Sequence, residues 1–150
     1  MTRVFATLLL VTSACAAAAQ QHPEESISEQ VRLYHEDLRW GRFEAAASHL
    51  PAKHRSDRID EWDEHGKDLK ITEFEIVRID PRGADAARAQ VKVSWYLESE
   101  QIVRETSAVE LWERKGKQWT LVEESRLRGH EMPGLAEPMS HPHAAHSETR

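Results

Sequence analysis

The chain has 150 residues, and 20 basic side chains against 26 acidic ones give it a formal net charge of −6. This length holds one domain, and an acidic chain gains nothing from releasing the counterions of a phosphate backbone, so no nucleic-acid partner is expected. The single cysteine leaves no disulfide, and stability must therefore come from packing.

Residues 1–19 have the organisation of a secretory signal peptide. Arg3 gives a positive start, an apolar stretch runs from Val4 to Val11, and small residues follow as far as Ala19. The expected location is therefore outside the cytoplasm, in the periplasm or cell envelope. Beyond this leader, no apolar run approaches the roughly 20 residues that a membrane-spanning helix needs.

Cys15 follows small residues at 12–14, and this stretch resembles a relaxed bacterial lipobox. A thiol at this place could accept diacylglycerol, become the new N-terminus and attach the protein to a membrane, the outer membrane included. Ordinary cleavage near Ala17 or Ala19, which would discard Cys15, is the alternative.

The folded domain is expected over residues 26–128, after a polar tether at 20–25. Its first helix should begin at Ser26, which stands three residues before Glu29 as in a capping box. Apolar residues at helical spacing define one face of this helix: Ile27, Val31, Tyr34 and Leu38.

Two further helices are predicted. One follows Gly41 and runs from Arg42 to about Leu50, where Pro51 ends it. The segment from 52 to 68 is dense in charge and suits a surface helix, with Ile59 and Trp62 contacting the core.

Past Lys67 the hydrophobic period becomes that of strands. Four strands are predicted: Leu69 to Ile79, Ala86 to Leu97, Gln101 to Glu113 and Gln118 to about Arg126. They form an antiparallel meander, and setting Glu113 opposite Gln118 places Trp112 across from Trp119 and Val109 across from Val122. Both faces then carry apolar groups, so the outer face is partly covered or meets a second subunit in a homodimer.

Two groups of residues invite a metal interpretation. In the tail at 129–150, which is expected to be disordered, His141, His143 and His146 could chelate zinc, nickel or copper weakly. Disorder without function is the alternative. The cluster of Asp57, Asp60, Asp63, Glu64 and His65 matches no known metal loop and is interpreted as a solvated helix face.

The order of these elements, with three particular stretches, resembles the NTF2-like superfamily. The stretches are 41–46 at the second helix, 69–76 entering the sheet and 111–122 as the closing hairpin. The resemblance covers residues 26–128 and implies an α+β fold, with helices packed on a curled antiparallel sheet that forms a cone. Its enzymes usually place a carboxylate or histidine pair inside the cone, and the fold hosts many unrelated functions.

The closing strand supplies the candidate catalytic groups. It contains Glu123 and Glu124 but no histidine, and because side chains alternate along a strand, at most one of the two points into the cone. That glutamate would be a general base if an apolar pocket raised its pKa. The alternative is that both are ordinary surface or rim charges.

A ligand pocket is predicted from Trp95, Arg104 and Arg126. Trp95 should stand opposite Arg104 or Glu105, depending on the length of the turn at Ser99. On the inner face, this charge would indicate a solvated cavity. On the outer face, which is the favoured interpretation, Arg104 would stack on Trp95 in solvent.

The sequence therefore predicts an exported, lipid-anchored envelope protein with a small binding or accessory domain for an unknown small molecule or protein, without a cofactor. An isomerase, cyclase or dehydratase using Glu123 or Glu124 is one alternative. A structural domain that dimerises through its sheet is another.

Overall fold

A computed structural model describes residues 23–137, in which helices precede strands. The helices are α1 (Pro23–Arg39), α2 (Phe43–Ala47) and α3 (Arg55–His65), with one turn of 3₁₀ helix at Ala52–His54. The strands are β1 (Leu69–Pro81), β2 (Ala86–Leu97), β3 (Arg104–Lys115) and β4 (Gln118–Gly129). Within this part of the chain, no helix is both long and apolar enough to cross a membrane.

Helix α1 begins at Pro23, three residues before the expected Ser26. Proline suits the first position of a helix because its missing N–H would be unpaired there anyway. The expected tether at 20–25 is therefore wrong for residues 23–25, and 20–22 lie outside the described residues. The helix ends at Arg39; Gly41, whose φ of +66° suits glycine, follows it and donates its N–H to the Leu38 carbonyl at 3.1 Å.

The four strands form one antiparallel sheet in sequence order. Strand β2 alternates strictly, with its inner side chains buried against the helices: Ala87, Ala89, Val91, Val93 and Trp95. The α+β architecture with a curled antiparallel sheet is thus confirmed. On β3 and β4, Leu111, Val122 and Leu127 are exposed, and a homodimer formed through the sheet stays a prediction.

The predicted register of the closing hairpin is wrong. Lys115 pairs with Gln118 across a two-residue turn, so Trp112 stands opposite Leu121 and not Trp119. Val109 stands opposite Ser125 and not Val122, because the shorter turn shifts the pairing by two residues and an irregularity between Leu111 and Trp112 adds one more residue to β4.

The chain after β4 is folded as far as the structure describes it. We call residues 131–137 the strap. Its Met132 packs on the core, and the Ala136 carbonyl accepts a hydrogen bond from the Arg126 N–H at 2.7 Å. The expectation of disorder from 129 onward is therefore wrong for 129–137. The strap is held by the packing of Met132 and by hydrogen bonds at Gly134, Ala136 and Glu137, although its composition resembles that of a disordered tail.

A sharp turn at Gly129 leads from β4 towards the strap. Gly129 has a φ of +95°, and a Cβ added there would lie 2.5 Å from the Glu105 carbonyl oxygen. Only glycine fits this place. The candidate tail ligands His141, His143 and His146, like Cys15, lie outside the described residues.

Candidate functional site

A cavity of about 280 Å³ lies between the end of α1, helix α3, the start of β1 and the strap. It approaches the lower end of the usual range for small-molecule sites, about 300–1,000 Å³. Its walls are mostly apolar and include Leu38, Trp40, Phe43, Trp62, Leu69, Ile71, Met132 and Leu135. Glu124 is the acidic side chain among its lining residues.

Glu124 projects from the inner face of β4, and its side chain is only 11% exposed. The Tyr34 hydroxyl donates a hydrogen bond to its Oε2 at 2.9 Å, and Arg58 Nη2 lies 3.4 Å from the same oxygen. Burial raises the pKa of Glu124, and the neighbouring Glu110 adds to this, while His35 and Arg58 act in the opposite direction. The carboxyl group is therefore poised to hold a proton more tightly than an exposed glutamate.

Glu110 stands directly opposite Glu124 on the neighbouring strand and is fully buried. His35 Nε2 bonds its Oε1, and the Trp112 indole N–H donates to its Oε2 at 2.7 Å. Burial alone would lower the pKa of His35, but the charge of Glu110 and the hydrogen bond to it outweigh burial and raise this pKa. His35 and Glu110 therefore form a buried ion pair behind Glu124.

Arg58 connects this network with the strap. Its Nη1 donates to Glu61 Oε2 at 2.5 Å and to the Gly134 carbonyl at 2.9 Å. A second cavity, of about 270 Å³, lies on the side of Leu50 and Leu121. Arg58 and Glu124 line both cavities, so their ion pair stands between the two.

One buried group has a donor set that a metal could use. His35, Glu110 and Glu124 each offer one ligand atom, and these atoms lie within 4.8 Å of one another. However, these groups already have partners: Tyr34 and Arg58 donate to Glu124, while Trp112 donates to Glu110, which also bonds His35. The network is chemically complete as an acid–base cluster without a metal ion.

The two predicted catalytic candidates, Glu123 and Glu124, lie in different surroundings. Glu124 lies in the buried network beside the cavity, whereas the side chain of Glu123 is on the exposed face of β4. The structure thus places Glu124 among other titratable groups and leaves Glu123 exposed at the lining of the second cavity.

The predicted ligand-pocket residues lie elsewhere. Trp95 stands opposite Arg104, but the favoured outer-face interpretation is wrong because Trp95 is 2% exposed in the core and donates to the Thr106 hydroxyl at 2.9 Å. Arg104 stacks over its ring at 5.4 Å, while Arg126 binds Glu137 at 2.7 Å. None of the three predicted residues lines either cavity.

Sequence reasoning did not single out His35, Glu110 or Arg58. Two signals were present. His35 stands four residues after Val31 and so falls on the buried face of α1. Glu110 has the same strand parity as buried Trp112, which predicts an inward carboxylate. Arg58 carries no comparable signal in a helix full of charges.

No protein-family model and no curated protein matches the chain. Solved structures of similar shape include a ketosteroid isomerase-like protein from Erwinia carotovora atroseptica, with a TM-score of 0.58 and 10% identity over 69% of this chain and 95% of that one. An NTF-2 like protein of unknown function from Shewanella oneidensis has a TM-score of 0.56 and 14% identity over 70% and 98%.

A SEC-C motif containing protein from Rhodopseudomonas palustris gives a TM-score of 0.57 at 7% identity, over 71% of this chain and 89% of that one. Such low identities show a shared fold and nothing finer. The chain has the NTF2-like fold.

Proposed function

We propose that the domain binds a small, mostly apolar molecule in the cavity that Glu124 borders. The observation that carries this proposal is an apolar-walled cavity containing a single buried carboxyl group. Small-molecule sites commonly combine apolar walls with a few placed polar groups. Trp62 and Phe43, whose rings lie 6.1 Å apart, supply broad surfaces for an apolar ligand.

Filling the cavity tests the proposal. Leu135 of the strap lines the cavity, so Leu135→Trp should occupy the space of a ligand. The matched control is Leu127→Trp, because Leu127 is 43% exposed on β4 and does not line it. The probe is n-octanol, with binding followed by calorimetry.

We expect n-octanol to bind the wild type saturably, the Leu135→Trp variant about tenfold more weakly or worse, and the Leu127→Trp variant like the wild type. Binding that survives in Leu135→Trp, or no saturable binding to the wild type, contradicts the proposal.

A second candidate function, acid–base catalysis of the isomerase type, is favoured by the raised pKa of Glu124. A base in an apolar site works best when its pKa is raised towards the operating pH, which is the direction found here. The reaction would begin with removal of a proton from carbon next to a carbonyl group.

Exchange of the methyl protons of acetophenone in deuterated water measures that step by NMR. We expect the wild type and the Glu123→Gln control to accelerate exchange, and Glu124→Gln to lose the acceleration. Equal rates in both variants would leave Glu124 without a catalytic role.

Export and a lipid anchor on Cys15 form the cellular part of the proposal. They are supported by the leader-like pattern of residues 1–19 and the lipobox-like stretch before Cys15. Replacing Cys15 by Ser should abolish acyl labelling and release the protein from membranes. Unchanged labelling and fractionation would remove the anchor from the proposal.

A further inference from the structure

The charges around the main cavity are opposite in sign to those of the chain. The protein carries a net charge of −6 with histidines neutral, yet the cavity lining combines one acidic side chain, Glu124, with three basic ones: Arg39, Arg58 and Lys70. Clefts that concentrate charge of one sign attract ligands of the other.

Two of these cations are available to a ligand. Arg58 is not one of them, because it already donates hydrogen bonds to Glu61, to Glu124 and to the Gly134 carbonyl of the strap. Lys70 donates one of its three ammonium protons to the Gly66 carbonyl at 2.8 Å; its side chain is 38% exposed and lies 4.0 Å from the half-exposed Glu98, which is a weak interaction in water. Among the residues that the structure describes, no acidic side chain forms a salt bridge with Arg39.

An aromatic ring of the cavity lining lies beside Arg39. Trp40 is 61% exposed, its indole N–H donates to Glu36 at 2.9 Å, and the Arg39 guanidinium lies 5.4 Å from its ring centroid. We call Arg39, Trp40 and Lys70 the rim. The rim thus places a broad apolar surface next to positive charge. A ligand that joins an apolar body to an anionic group could contact both.

We infer that the molecule bound in the cavity is an amphiphile with a single anionic group, such as a carboxylate, held at the rim while its apolar body lies against Phe43 and Trp62. This inference rests on the proposed function, because it names the chemical class of the ligand in the same cavity. Four acidic groups contact side chains of the lining. Arg58 pairs with Glu124 and Glu61, the Tyr34 hydroxyl also donates to Glu124, and Glu36 and Glu98, which contact Trp40 and Lys70, lie outside the lining.

Two probes of equal chain length isolate the contribution of charge. Octanoate carries the carboxylate, whereas n-octanol has an apolar body of the same size without it. The variant is the double substitution Arg39→Gln and Lys70→Gln at two surface positions. The control is Lys117→Gln, which removes an exposed cation from the turn between β3 and β4, away from the cavity lining.

We expect the wild type and Lys117→Gln to bind octanoate about tenfold more tightly than n-octanol, and less so at high salt. The double variant should lose this preference, so that its affinities for octanoate and n-octanol become similar. If n-octanol binds but octanoate binds no more tightly, or if the preference survives in the double variant, the inference about charge is overturned and the binding function stands. If neither probe binds, both are overturned.

Discussion

At the scale of single residues, the Glu110 carboxylate depends on two partners. Both of its oxygens are engaged, one by His35 and the other by the Trp112 indole. Removing one partner of a buried ion pair leaves an uncompensated charge and costs about 3–5 kcal/mol, whereas replacing both partners with apolar groups is often neutral.

We therefore predict that His35→Leu lowers the free energy of unfolding by about 3–5 kcal/mol. The double variant His35→Leu, Glu110→Leu should recover most of this loss, because no buried charge is left unpaired. Urea unfolding measures both, with exposed His54→Leu as the control. A double variant that is no more stable than the single one would show that packing, and not charge balance, dominates at this position.

A pH dependence follows from the same network. Glu124 and His35 both hold a proton more tightly in the folded chain than at their ordinary pKa values of 4.5 and 6.5. For each group, the stabilisation of the folded chain is fully present at pH values below the ordinary pKa. It is lost as the pH rises from that value through the higher pKa of the group in the folded chain. The contribution of Glu124 therefore begins to fall near pH 4.5, and that of His35 near pH 6.5.

Glu124→Gln removes the first of these contributions. Relative to the wild type, its free energy of unfolding should rise as pH increases above about 4.5. Chemical unfolding at a series of pH values measures the difference, and Glu123→Gln controls for the loss of one carboxylate at an exposed position. A difference that stays constant with pH would mean that Glu124 titrates alike in the folded and unfolded chain.

At the scale of elements, the strap stabilises the domain through a few specific contacts. Met132 packs on the core, Arg58 bonds the Gly134 carbonyl, and Arg126 binds Glu137. The partial burial of Met132 and these hydrogen bonds should together add about 1–3 kcal/mol to the free energy of unfolding.

Two shortened chains isolate that contribution, one ending at residue 130 and the other at residue 137. The longer chain should be more stable by about 1–3 kcal/mol in thermal or urea unfolding. Equal stabilities would mean that the strap contacts contribute nothing net. The Met132→Ala variant of the longer chain should show part of the same loss.

The sequence pattern predicted the bounds of some strands but not the register between all of them. Strand β2 was predicted with the bounds observed because its apolar alternation runs unbroken from Ala87 to Trp95. The β3–β4 register was wrong because apolar alternation does not show that the turn has only two residues, so that Lys115 pairs with Gln118, or that an irregularity beside Trp112 shifts the pairing by one more residue. Because side chains alternate along β4, the sequence predicted that only one of Glu123 and Glu124 points inward. It did not predict the contact between His35 and Glu110, which depends on which helix packs on which strand.

At the scale of the whole molecule, the site combines α1, α3, β3, β4 and the strap, so no part of the chain contains it alone. The bond between Tyr34 and Glu124 joins residues that are 90 positions apart. Closing so long a loop costs entropy before its contacts form, and chains dominated by such contacts fold slowly.

This separation has a kinetic consequence. We expect the cavity to assemble after the folding barrier, so that a ligand stabilises the native chain and not the transition state. In stopped-flow experiments, n-octanol should slow unfolding and leave the refolding rate unchanged. Refolding that accelerates with n-octanol would show that the two ends of the domain meet before the barrier is crossed.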